Sequence, residues 1–259
     1  MSQTISIQRL QLLFRVFMAE RGKTYLSSFG LITAISLLLM IPILFKEGYH
    51  DLLYVLHAFA LFGPIMLGGS LFTSTAFSYY HRQDQGISAI MLPVSQLEKY
   101  LLILVVHLLF MVSILLIFWN LHLWITETAN AAIPEGSRRY NSIPLEIAEY
   151  FLYLYLIIQS IMFLGSIYFS KQVFIKSLIV ILVTGLTAVL LHLGLAYQMT
   201  GVSSQINSLP FMAWSVFLDG RRTNILFPEY AEIGIRWLLG LLVAGMMLTA
   251  YVRMREKEI

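Results

Sequence analysis

The apolar residues of this chain fall in blocks of about twenty, and that spacing constrains the fold more than any other feature. The block "YLSSFGLITAISLLLMIPILF", Tyr25–Phe45, carries no charged residue. A helix rises about 1.5 Å per residue, so roughly twenty residues cross the hydrocarbon layer of a bilayer. Inside lipid every backbone N–H and C=O needs a partner within the structure, which a helix supplies from its own segment. Ten-residue stretches of alternating character, the pattern of a membrane β-barrel, are not seen. Composition agrees: 58% of residues are hydrophobic and 12% are charged, against roughly 25% charged in a soluble domain.

Six such blocks predict an all-α polytopic membrane protein. The spans are Tyr25–Phe45, Leu53–Phe77, Tyr100–Ile125, Ile147–Phe169, Ser177–Tyr197 and Ile233–Tyr251. Residues 1–24 form an amphipathic lead-in, 25–251 a single six-helix domain, and 252–259 a tail. Aromatic residues at span ends, among them Tyr25, Tyr54, Trp124, Tyr150, Trp237 and Tyr251, suit the membrane–water interface. With the first end inside, Arg9, Arg15, Arg21, Lys23, Arg82, Lys99, Lys171, Lys176, Arg253, Arg255 and Lys257 lie on the cytoplasmic side. Lys46, Arg138, Arg139, Arg221, Arg222 and Arg236 lie outside. That bias, 11 against 6 of the 17 basic residues, favours both termini in the cytoplasm. No small-residue cleavage site follows the first block, so a signal peptide is not expected.

Several functions find no support in the residues. There are no cysteines, which excludes disulfides and thiolate metal sites. No GxxxxGK[ST] loop, HExxH or GxSxG occurs, and no basic run suggests nucleic acid. No acidic residue lies at the centre of a span. A carboxylate there usually marks an ion path, so its absence argues against an ion-coupled carrier.

The lead-in "ISIQRLQLLFRVFMAERG" places Ile7, Leu10, Leu13, Phe14 and Phe17 on one helical face, with Gln8, Gln11 and Arg15 opposite. Such a helix lies on a membrane surface, as an anchor or as a contact for a partner. Gly22 permits a turn into the first span. The polar connection 126–146, with Pro134, Gly136 and Pro144, reads as an exposed loop. In "INSLPFMAWSVFLDG", Phe211, Trp214, Phe217 and Leu218 recur at helical spacing. The run is too short to span and predicts a re-entrant or interfacial helix on the outer side.

The segment between spans two and three, "DQGISAIMLPVSQLEKYLLILVV", carries a finer pattern. Ile87, Ile90 and Met91 form an i, i+3, i+4 set, so a short one-faced helix fits there. Pro93 ends it. Ser95 and Glu98 then match the Ser-x-x-Glu capping box at the start of span three. A plain turn with good capping also accounts for the pattern.

This layout is similar to the permease subunits of ABC exporters of the second type. The resemblance rests on a surface helix before six spans, a short helix between spans two and three, and the Gly86–Lys99 sequence. That sequence follows the family's order of glycine, apolar pair, Leu-Pro-x-Ser and basic residue. The connection between spans three and four is long for the family. The resemblance implies an ATP-driven exporter of the bacterial cytoplasmic (inner) membrane, with no covalent chemistry of its own. ATP would be bound by a separate ABC ATPase subunit, and this chain would carry no cofactor and no metal. A second permease copy, identical or not, would complete the path. The coupling helix, about Arg82–Leu92, would seat on the ATPase. The implied coupling residues are Arg82, Asp84, Gly86, Ile87, Ile90, Met91, Pro93, Glu98 and Lys99. Lys171 and Lys176, both in "SKQVFIK", Ser170–Lys176, would make a smaller second contact.

Span two holds Pro64, Gly68, Gly69, Ser70, Thr73 and Ser74, and span four holds Gln159 and Ser160. Small residues let helices approach closely. Ser70, Thr73, Ser74 and Gln159 either join helices by hydrogen bonds or line a translocation path. His57, His107, His122 and His192 fall in or near spans. Paired histidines on neighbouring helices can hold haem, which keeps a haem-binding redox subunit as an alternative beside the bland reading of interhelical contacts. A resistance or assembly factor that keeps a permease topology without transporting is a further alternative.

Overall fold

The computed structural model of the protein describes residues 6–78, 94–201, 210, 214–218, 221–225 and 227–257. Six helices among the described residues are long and apolar enough to cross a membrane, and the chain is a multi-pass membrane protein. They are α1 (Ile7–Met40), α2 (Asp51–Ser74), α3 (Gln96–Ala131), α4 (Leu145–Tyr168), α5 (Val173–Thr200) and α6 (Glu229–Lys257). Each matches one expected span. The apolar residues of α5, such as Leu182, Leu186 and Leu190, point outward, the pattern of a helix face in contact with lipid.

The lead-in and the first span are one unbroken helix, so the expected turn at Gly22 is absent. Glycine permits a turn but does not force one, and no proline interrupts residues 7–40. Tyr25 lies against His107, and Met40 reaches His122 through His57. The two helices therefore advance 15 residues each between these contacts and run side by side. Below them, Ser6 meets Glu98. From there to the Tyr25–His107 contact α1 uses 19 residues, about 28 Å, and α3 uses 9, about 14 Å. Helix α1 continues as a 3-10 turn, Ile41–Phe45, with Pro42 near its start.

Helix α2 changes pitch in the middle. Leu61–Leu67 is a π segment around Pro64. Proline has no N–H to give and its ring crowds the carbonyl four residues earlier, and a widened turn accommodates both. Helix α3 opens on the capping box expected from sequence: Ser95 Oγ accepts from the Glu98 N–H at 3.2 Å, and the Glu98 carboxylate accepts from the Ser95 N–H at 2.9 Å. Helices α4 and α5 join through four residues, with Gln172 left-handed at φ 53°. At the far end of α5, Gly201 at φ 70° ends the helix with its N–H on Tyr197 O, a position suited to a residue without Cβ.

The expected outer helix near Trp214 is instead a β-hairpin. Strands β1 (Trp214–Leu218) and β2 (Arg221–Ile225) pair antiparallel, with Trp214 opposite Ile225 and Leu218 opposite Arg221. Only Asp219 and Gly220 join them. Asp-Gly between β-branched and aromatic residues is a hairpin signal, and it outweighs an i, i+3, i+4 match over so short a run. Trp214 is buried against Ala196 of α5, with Phe227 partly buried beside it.

The core has two main parts. One joins α1, α2, α3 and the start of α4, with Ile32, Met40, Ile65, Phe110, Phe118 and Tyr155. The other joins the opposite ends of α2 and α4 to α3 and α6, through Phe77, Tyr100, Phe163, Ile167 and Met254. Ser6 and Met254 thus lie at the same end of the bundle, together with the starts of α3 and α5. The 133–144 connection and the hairpin lie at the other end.

Candidate functional site

The end that holds Ser6 and Met254 is organised around one carboxylate. Glu98 stands at the third position of α3 and is fully buried. Its Oε2 accepts from the Ser95 N–H and hydroxyl, both at 2.9 Å. Its Oε1 accepts from the Ser6 N–H at 2.8 Å and lies 3.3 Å from the Arg9 guanidinium. Ser6 is the N-cap residue of α1. One carboxylate therefore caps its own helix and ties down the start of another, where two sets of unpaired N–H groups and two positive dipole ends meet. A lone buried carboxylate costs several kcal/mol. Here three neutral donors and a guanidinium satisfy it, and hydrogen bonds to an ion are about twice as strong as neutral ones.

Sequence showed the Ser95–Glu98 half of this clasp. It did not show the Ser6 and Arg9 half, because those residues lie about ninety positions away and share no motif with Glu98. Lys99 follows Glu98 and is buried. Lys171 and Lys176 are exposed at the junction of α4 and α5, with the Lys176 ammonium 5.6 Å from the Phe169 ring. At the same end the Arg253 guanidinium lies over Tyr168 at 5.2 Å. Arg82, Asp84, Gly86, Ile87, Ile90, Met91 and Pro93 lie outside the described residues.

The four residues expected to face a path or a neighbouring helix do not act alike. Ser70, Thr73 and Gln159 form one buried contact between α2 and α4. The Gln159 amide meets the Thr73 hydroxyl at 2.7 Å and Ser70 at 3.3 Å. Gly69 makes the approach possible: a Cβ there would stand 2.8 Å from the Tyr155 hydroxyl and 3.1 Å from Gln159 Nε2. Ser74 turns to its own helix and donates to Leu71 O at 2.7 Å. All four are closed off from the surface in the single chain.

Two of the four histidines meet each other. His57 Nε2 of α2 and His122 Nδ1 of α3 are 2.7 Å apart. The Ile143 N–H donates to His122 Nε2 at 3.0 Å, and His57 Nδ1 faces Met40 O at 3.4 Å. Every nitrogen of the pair has a protein partner, and no iron fits between two nitrogens at hydrogen-bond distance. His107 Nδ1 bonds Ile103 O at 2.8 Å, and His192 stands beside Trp214. In this arrangement neither ring of the His57–His122 pair has a nitrogen free for iron. Among the described residues no three His, Asp or Glu side chains gather as a metal site.

The connection between α3 and α4 is more ordered than its composition suggests. Asn130 and the Tyr140 backbone exchange two bonds of 2.8 Å. The Tyr140 hydroxyl donates to Gly48 O, and the Tyr54 hydroxyl donates to Asn141 O. The segment is folded back over the helix ends, with Ile133 and Tyr140 buried.

No protein-family model, curated protein or solved structure matches the chain.

Proposed function

We propose that the chain is the permease subunit of an ATP-driven exporter similar to the second type of ABC exporter. Both ends would face the cytoplasm of a bacterial inner membrane. A separate ABC ATPase would bind ATP and dock on residues 82–92, and a second permease copy would complete the path. The observation that carries this reading is the Glu98 clasp. The clasp lies immediately after the proposed coupling segment and ties the start of α3 to the start of α1. Force on that segment would therefore move two helices as one body, the kind of rigid shift that rocks a permease. The exposed lysines at the junction of α4 and α5 share this end and would supply the second contact. Ser70, Thr73 and Gln159 would meet substrate only when α2 and α4 separate.

The test is capture of the partner. The tagged full chain is purified from its own membranes and the recovered proteins are identified, alongside a variant with Ile90→Asp and Met91→Asp. The expected result is a nucleotide-loop ATPase with the wild type and at least tenfold less with the variant, at equal membrane levels of both chains. No ATPase with the wild type, or equal recovery with both, would overturn the exporter reading and favour a membrane resistance or assembly factor.

A further inference from the structure

The His57–His122 contact has a direction. The Ile143 N–H points at His122 Nε2, so that nitrogen is the acceptor and the His122 proton sits on Nδ1. This proton is donated to His57 Nε2 at 2.7 Å. The His57 proton is then on Nδ1, facing Met40 O. The chain of bonds is consistent only with both rings neutral and both in the Nδ1–H form. It also rules out a metal between the rings, because His122 Nδ1 has no lone pair left to give.

An added proton has nowhere to go. On His122 Nε2 it would face the Ile143 N–H, and on His57 Nε2 it would face the His122 Nδ1–H. In either place one donor–acceptor contact becomes a donor–donor contact. The rings are 1% and 0% exposed, so no water shell absorbs the new charge. Among the described residues the only titratable group either ring meets is the other ring. Among the described residues, the charged groups of residues 46–51 and 127–139 are exposed. Asp51 pairs with Arg138 at 3.2 Å, and Lys46, Glu47, His50, Glu127 and Glu135 face outward. The hydroxyls of Tyr54 and Tyr140 bond backbone carbonyls, and the Tyr49 ring lies under the Arg138 guanidinium at 4.0 Å. Among the described residues no carboxylate is in place to hold an imidazolium.

We infer that His57 and His122 form a proton-sensitive latch, closed when both rings are neutral and weakened by one proton, which loosens the hold of the helix ends on the 133–144 segment at Ile143. The latch joins the end of α1, α2, α3 and the residue before Pro144, the cap of α4. The inference is independent of the exporter reading. Its size follows from linkage. The closed form binds no added proton, whereas an open ring titrates near pH 6.5. Opening therefore rises about tenfold between pH 7.5 and 5.5 for one ring.

The test is backbone hydrogen exchange of the full chain in lipid nanodiscs at pH 7.5 and 5.5, corrected for the intrinsic rate at each pH. The expected result is a loss of protection of about tenfold at Ile143 in acid. In the double variant His57→Gln and His122→Gln each amide offers one acceptor and one donor without titrating, and protection should be equal at both pH values. Unchanged protection in the wild type, or an equal loss in the double variant, overturns the latch. Nitrogen-15 NMR of labelled histidine in the wild type is a second reading that needs no variant. Both rings should be Nδ1–H at pH 7.5, and an Nε2–H form of either ring overturns the proposal.

Discussion

At Glu98 a single side chain serves two helices, and its role can be divided by substitution. Glu98→Gln keeps the shape and an acceptor for the Ser6 N–H but loses the charge that faces Arg9. Glu98→Ala keeps the bond from the residue-98 N–H to Ser95 Oγ but leaves the Ser6 and Ser95 N–H groups without an acceptor. The Ser95 donor is buried and the Ser6 donor half-buried, and a stranded buried donor costs about 1–3 kcal/mol. Thermal unfolding of the purified protein should therefore rank wild type above Glu98→Gln and Glu98→Ala lowest, with about 2–4 kcal/mol lost in the alanine variant. Equal stability of wild type and Glu98→Ala would show that the clasp holds nothing. Ser95 and Glu98 were legible because a capping box is a local motif of fixed spacing. Ser6 and Arg9 were not, since nothing local to residues 6–9 points to a carboxylate beyond the second span.

Among the elements, α2 and α4 show how close packing depends on a missing side chain. A Cβ on Gly69 would press on Tyr155 and Gln159, both of them on α4 and both fully buried. The helices would have to part. Gly69→Ala is expected to destabilise the fold by about 1–3 kcal/mol, the usual cost of overpacking. Gly30, also in a membrane helix, has nothing within 4 Å of its Cβ position. Gly30→Ala should be neutral or stabilising by up to about 1 kcal/mol from helix propensity. Paired unfolding measurements check both, and equal effects would mean that the α2–α4 contact is loose. The hairpin carries the opposite lesson. Phe211, Trp214, Phe217 and Leu218 fit a helical period, yet the Asp219–Gly220 pair and the partner strand Arg221–Ile225 decide the element. Periodicity over eight residues is a weak signal beside an Asp-Gly pair between two strand-forming runs. Likewise α1 has the polar–apolar contrast of a surface helix and then of a span, and it stays one helix because no residue in it breaks the ladder of backbone bonds.

Across the whole molecule, the bundle places the α4–α5 junction at one end and the 133–144 connection at the other. A chain without cysteine makes this simple to test. Ser137→Cys and Ser170→Cys, both at exposed positions, should react with an impermeant maleimide from opposite sides of the membrane. With the basic-residue bias as the guide, Ser137→Cys should label in intact cells and Ser170→Cys only after permeabilisation. Labelling of both from one side would break the six-span arrangement, and reversed labelling would invert the orientation. The sequence by itself determined the six spans and the cap of α3, since the length and polarity of a helix in lipid, and a four-residue motif, are set by neighbours in the chain. The tertiary structure alone decided that Glu98 holds Ser6 and Arg9, that Gln159 meets Thr73, and that His57 bonds His122. Those pairs are separated by 65 to 92 residues. Which side chains meet across such distances depends on the rotation and depth of whole helices, and hydropathy, which sees only a span's length and mean polarity, carries no record of either.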